Sequence, residues 1–131
     1  KFPFEVFGAS YIDEEAFARK LSAARLPGLA FVPVRFTPTA SKFAKEECGG
    51  VRIILKDPAN CPSVELGILL AQTLRELYPK KWEIKKLNTL LQHPKTEAAI
   101  KSLKPRTEIV NSWEAGLEEF APRRAGVLLY R

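Results

Sequence analysis

Apolar residues alternate with a period of two in three places in the first half of the chain and recur every three or four residues elsewhere. Phe4 and Val6 alternate with Glu5 and Phe7, which predicts a short first strand ending at Gly8. Asp13 then stands where a helix N-cap belongs, with Glu14 and Glu15 in the first turn, where the helix dipole favours acids. Phe17, Leu21 and Ala24 supply the buried stripe of that helix, and Pro27-Gly28 stops it. Residues 29–36 read as a second strand, with Ala30, Val32, Val34 and Phe36 on one face and Phe31, Pro33 and Arg35 on the other. Pro33 has no N–H to give to a ladder, so this strand belongs at an edge or carries a bulge. Residues 51–56 form a third strand, with Val51, Ile53 and Leu55 inward and Arg52 and Lys56 outward. Its polar face implies a sheet covered mainly on one side. The strongest helical stripe follows Pro62, through Val64, Ile68, Ala71, Leu74 and Leu77 to Pro79, and predicts a central helix. A weaker helical pattern spans residues 82–91, and another follows Pro94, with Ala98, Ala99, Ile100 and Leu103 apolar. Thr107 caps a last helix in which Ile109, Val110, Trp113, Leu117 and Phe120 face inward and which Pro122 ends. Residues 126–130 are apolar and β-prone and are expected to return to the sheet as a final strand. The reading is an α+β domain: a small mixed or antiparallel sheet of three to four strands, covered mainly on one face by helices.

Length and composition narrow this picture little. The 131 residues suit one domain spanning the whole chain, and a hydrophobic fraction of 46% is enough for a real core. No apolar run approaches the roughly 18–20 residues that cross a bilayer. The chain contains no methionine and opens on Lys1-Phe2-Pro3-Phe4, so it is read as a piece of something longer. The lack of a leader therefore says nothing about compartment. Cys48 and Cys61 flank opposite ends of the third strand, whose six residues span about 20 Å. Bridged Cα atoms lie within about 7 Å, so no disulfide is expected. Two cysteines and one histidine at this spacing are not a zinc pattern, and neither metal nor cofactor is expected.

The candidate chemistry sits in residues 37–50, a long stretch without periodicity between two strands. Such stretches inside a compact domain are functional or disordered. It holds Pro38, Thr39, Ser41, Lys42, Lys45, Glu46, Glu47, Cys48, Gly49 and Gly50. Hydroxyls, ammonium groups and paired glycines suit recognition of a polar or anionic ligand; a solvated loop with a Gly-Gly turn is the competing reading. Glu46 and Glu47 are no glycosidase pair by themselves, because adjacent residues of an extended segment point apart while such carboxylates converge. Arg35, beside the stretch, has two readings: it binds a ligand carboxylate, or it pairs with Glu46 or Glu47. Tyr11 either lines a cleft or is an ordinary loop residue. Cys48 reads as structural, His93 as a surface residue, and Trp82 and Trp113 as core. No Walker loop, HExxH or GxSxG is present.

The net charge of +6 resides in residues 80–106, where Lys80, Lys81, Lys85, Lys86, Lys95, Lys101, Lys104 and Arg106 face only Glu83 and Glu97. A nucleic-acid patch is one reading. A solvated helical face is the preferred one, since the spacing is irregular and aromatics are few.

Several strings resemble one known family. Pro3-Phe4-Glu5-Val6-Phe7-Gly8-Ala9 with Tyr11-Ile12-Asp13 is similar to the opening of the C-terminal domain of bacterial exo-β-N-acetylmuramidases. Val34-Arg35-Phe36-Thr37-Pro38-Thr39-Ala40-Ser41-Lys42, then Glu47-Cys48-Gly49-Gly50-Val51, resembles its signature loop. Leu77-Tyr78-Pro79, Ser112-Trp113-Glu114 and Leu128-Leu129-Tyr130 match in order, so the likeness runs through nearly the whole chain. Departures fall at Ala40, where the family has an aromatic, at Arg52 and Ile54, where it often has Gln and His, and after Trp82, where this chain is shorter.

The resemblance implies a parent with an N-terminal Rossmann-like domain, an active site in the cleft between the two domains, and release of terminal N-acetylmuramic acid from peptidoglycan fragments. The catalytic carboxylates would belong to the N-terminal domain, so no catalytic residue is assigned here. Arg35, Ser41, Lys42 and Glu47 would sit near the cleft, shaped by Cys48-Gly49-Gly50, with Tyr11 and Thr39 as further lining. The implied partners are that N-terminal domain and a peptidoglycan sugar, and the implied compartment is periplasmic or extracellular. A basic nucleic-acid module and a purely structural domain are the alternatives.

Overall fold

The computed structural model describes residues 4–40 and 42–129. Its strands are β1 (Val6–Ala9), β2 (Leu29–Phe36) and β3 (Cys48–Leu55). The helices are α1 (Glu14–Ala23), α2 (Ser63–Leu77), α3 (Asn88–Leu91), α4 (Pro94–Lys101), α5 (Arg106–Asn111) and α6 (Glu114–Ala125), with a 3-10 turn at Ile84–Lys86. The sheet order is β1-β3-β2, antiparallel throughout, so β1 and β2 run parallel on either side of β3. Pro33 lies on β2, an edge strand, as its missing N–H requires.

One face of the sheet carries Phe7, Leu29, Phe31, Val51 and Ile53 against α1 and α2. Phe17 and Leu21 of α1 are fully buried there, at the predicted helical spacing. Asp13 caps α1, its carboxylate accepting the Ala16 amide N–H at 2.8 Å. Among the described residues no helix packs on the opposite face, where Val32 is 42% exposed. This is the one-sided α+β arrangement that the alternation predicts. Helix α2 is central because its two flanks serve two clusters. Leu69 and Leu74 join the sheet core, while Ile68 and Ala71 pack with Ile100 of α4 and Ile109 of α5. Trp113 closes the second cluster, and its indole N–H donates to the buried Thr96 hydroxyl at 3.0 Å.

Several expectations need correction. Phe4 precedes β1 and is fully exposed, Thr107 lies inside α5, whose N-cap is Pro105, and Val64 of the α2 stripe is 63% exposed. Strand β3 starts at Cys48, three residues early, so Cys48, Gly49 and Gly50 pair with Phe36, Arg35 and Val34 and are not loop. Leu55, expected to face inward, is half exposed at the end of the strand. The last helical stretch is two helices, α5 and α6. Pro122 lies inside α6, and Leu117 and Phe120 remain 62% and 49% exposed. Residues 126–129 form no strand, since α6 carries the chain away from the sheet; Tyr130 is outside the described residues.

Glycine at the start of β3 answers to crowding. A Cβ on Gly49 would collide with the Ile12 carbonyl oxygen and lie 2.8 Å from Glu14 Oε2. One on Gly8 would meet the Gly49 carbonyl and lie 2.8 Å from the Phe36 ring. Gly49→Ala is therefore expected to lower stability by about 1–3 kcal/mol through overpacking. Chemical denaturation checks this; an unchanged midpoint would show that the strands can separate without loss.

Candidate functional site

Three pieces of chain meet at the Gly49 end of the sheet: the start of α1, the end of β2, and residues 37–47. Arg35 projects on the helix-covered face and bridges two carboxylates. Its Nε donates to Glu14 Oε1 at 2.5 Å and its Nη1 to Glu47 Oε1 at 2.9 Å. The pairing reading of Arg35 is thus correct for Glu47, and Glu46 is an exposed side chain apart from it. Glu14 is the larger partner that the sequence did not disclose. There it carried only the signature of a first-turn acid, and nothing local says that β2 passes beside it. The Glu14 side chain is 16% exposed and that of Glu47 69%. The hydrogen bond from the Arg35 guanidinium, followed by a backbone hydrogen bond at Glu14 itself, holds the Glu14 carboxyl below the usual glutamate range, with the Arg35 charge adding a smaller push in the same direction. The same two acids raise Arg35.

Beside this triad lies an aromatic cluster. Tyr11 meets Phe43 edge-on at 6.2 Å and Tyr78 at 5.6 Å. The Tyr78 hydroxyl accepts the Asp13 amide N–H at 3.0 Å, which ties the end of α2 to the cap of α1. Burial raises the Tyr11 hydroxyl, so it stays a protonated donor. Lys42 extends over the Phe43 ring with its Nζ 5.3 Å from the centroid. Phe43 and Tyr78 were the missed members, though an aromatic inside a polar stretch is itself a signal of anchoring. Thr39 is exposed nearby, and Ser41 is outside the described residues.

Cys48 is buried under a shallow recess of about 190 Å³ lined also by Val6, Gly8, Phe36, Pro38, Ala40, Lys42 and Phe43. Burial pushes its thiol up, which suits a structural cysteine and not a nucleophile. Cys61 is half-buried, and neither thiol is in a disulfide. His93 is exposed, as expected, but also caps α4: its Nδ1 lies 2.7 Å from the Thr96 hydroxyl and 3.3 Å from its amide. Trp82 packs partly against both core clusters. Among the described residues no three His, Cys, Asp or Glu side chains gather to hold a metal ion.

The basic stretch is less uniform than its composition. Arg106 pairs with Glu65 at 3.2 Å, Lys86 with Glu83 at 3.2 Å, and Lys104 with Glu108. Glu65 and Glu108 lie outside residues 80–106, so the local charge excess was partly an artefact of sequence order.

The fold and this surface define a helix-backed α+β domain that presents a polar, aromatic end rather than a closed catalytic pocket. The sequence pattern described as "Exo-beta-N-acetylmuramidase NamZ, C-terminal" matches residues 1–130, and the chain belongs to that family. It is similar to the peptidoglycan beta-N-acetylmuramidase NamZ of Bacillus subtilis, 30% identical over 131 residues. That match covers 98% of this chain and 32% of the relative, so the chain spans about a third of its length. Its fold matches the crystal structure of a DUF1343 family protein from Bacteroides fragilis with a TM-score of 0.71 at 20% identity, over 100% of this chain and 36% of that one. No helix among the described residues is long and apolar enough to cross a membrane.

Two outcomes test the site's electrostatics and its thiols. Because the native Glu14 pKa is lowered, its contribution to stability is complete above the ordinary glutamate value and is lost as pH falls through the native one. Acid unfolding of Arg35→Ala should accordingly show less loss of stability on acidification than the parent sequence. Under native conditions a thiol reagent should label Cys61 promptly and Cys48 only on unfolding; equal rates would contradict the burial of Cys48.

Proposed function

We propose that this domain forms one wall of the substrate cleft of a glycosidase that releases terminal N-acetylmuramic acid from peptidoglycan fragments. In this reading a second, N-terminal domain of the parent supplies the catalytic carboxylates, and the parent works outside the cytoplasmic membrane, where peptidoglycan lies. Family membership supports the reaction class. The observation that carries the cleft-wall role is the state of the charged groups at the Gly49 end. Arg35 is already engaged by Glu14 and Glu47, whereas Lys42 makes no ion pair among the described residues and stands over an aromatic ring. A guanidinium neutralised by two acids is a poor receptor for a third carboxylate, so Lys42 is the cation offered to an anionic sugar. Arg35 instead orients Glu47, which is left to accept hydrogen bonds from sugar hydroxyls. Thr39 and Tyr11 supply hydroxyls to this wall, Ser41 is assigned to it from the sequence resemblance alone, and Cys48, Gly49 and Gly50 act by holding the start of β3 close to β1. Glu14 and Glu47, the two acids that meet here, are both tied to Arg35 rather than free to act on a glycosidic bond, so in this reading the domain is inert alone.

The nucleic-acid reading loses ground because Lys86, Lys104 and Arg106 are spent on internal ion pairs. The deciding measurement is turnover of a chromogenic β-N-acetylmuramide by the full-length parent, with and without Lys42→Ala. A loss of about 2 kcal/mol of transition-state stabilisation, roughly 30-fold in kcat/KM, with folding intact supports the cleft wall. Unchanged turnover would make the domain a structural support, and a parent inactive on muramides would remove the substrate.

A further inference from the structure

The long segment before β3 and the basic stretch after α2 are far apart in sequence and meet at one recess. Lys42 enters it from the segment, and Lys81 and Lys86 enter from the stretch. Tyr11 and Trp82 line it between them, and Glu83 is its one acid. Glu83 is ion-paired with Lys86 at 3.2 Å, which leaves an excess of two positive charges. Neither Lys42 nor Lys81 makes an ion pair among the described residues. Ammonium groups that share a small recess repel one another until an anion enters, and aromatic walls reduce the water that would screen it. The recess holds about 160 Å³, room for about five water molecules, which suits a short charged arm.

We propose that this recess binds a carboxylate carried on a short arm of the sugar substrate, with the arm against Tyr11 and Trp82, and so determines which sugars the parent accepts. The assignment rests on the cleft-wall reading above and goes beyond it by giving the basic stretch a role. On N-acetylmuramic acid the carboxylate has two sources: the free lactyl group, or the end of a peptide attached to that group. In both, the recognising chemistry is a set of charge-assisted hydrogen bonds from Lys81 and Lys42.

The test compares kcat/KM of the full-length parent for three chromogenic β-N-acetylmuramides: the free lactyl acid, its neutral amide, and its alanine conjugate. The parent should prefer an acid over the amide. Lys81→Ala should reduce that preference about tenfold, chiefly through KM, and Lys81→Arg should restore much of it. Lys81 is exposed, so the variant should fold normally. Loss confined to the lactyl acid assigns the recess to the lactyl carboxylate, and loss confined to the alanine conjugate assigns it to the peptide carboxylate. An active parent without acid preference, or a variant that keeps the preference, overturns the recess while leaving the cleft wall standing. A parent inactive on all three overturns both.

Discussion

The absence of a side chain at Gly49 is the constraint on which the working end of this domain depends. The space where a Cβ would sit is filled by the Ile12 carbonyl, with Glu14 just beyond it. The turn between β1 and α1 therefore lies directly on the start of β3, and α1 begins within reach of β2. Only then can Glu14 meet Arg35, two residues that no local pattern connects. The neighbouring close contacts at Gly8 and Gly50 hold β1, β3 and the Phe36 ring in the same register. Glycine here secures proximity, and it does so inside strands, where its flexibility would otherwise be a disadvantage.

From that contact the remainder follows in layers. Asp13 caps α1, and the Tyr78 hydroxyl accepts the Asp13 amide, so the end of α2 is tied to the same corner. Tyr78 stacks its edge on Tyr11, and Tyr11 on Phe43, which anchors the otherwise irregular segment carrying Lys42. A polar surface is thus mounted on an aromatic base, itself continuous with the buried Phe17. Rigid support of this kind is what a substrate-facing wall requires, since hydrogen-bonding groups lose less entropy when already in place.

The second cluster, where α4, α5 and Trp113 pack on the far flank of α2, has a different character. It broadens the domain and carries the basic stretch round to Tyr11 and Lys42. Helix α6 adds little to either core, with its apolar residues largely exposed.

The strands and helices of the first half were legible in the residues because each rests on a local rule. Asp13 before Glu14 and Glu15 starts a helix, Pro33 demands an edge, and the spacing of Ile68, Ala71 and Leu74 makes α2 a buried centre. Family membership was legible too, in the Arg35-to-Gly50 string. The extension of β3 back to Cys48 was not, since a Cys-Gly-Gly start looks like a turn until β1 and β2 are placed on either side of it. Nor was the break between α5 and α6, or the failure of residues 126–129 to rejoin the sheet, because tertiary packing overrides the propensity of short segments. Periodicity is a one-dimensional signal and specifies what each element buries. Ion pairs such as Arg35 with Glu14, and the meeting of Lys42 with Lys81, are set by how elements lie across one another, which only the folded chain decides.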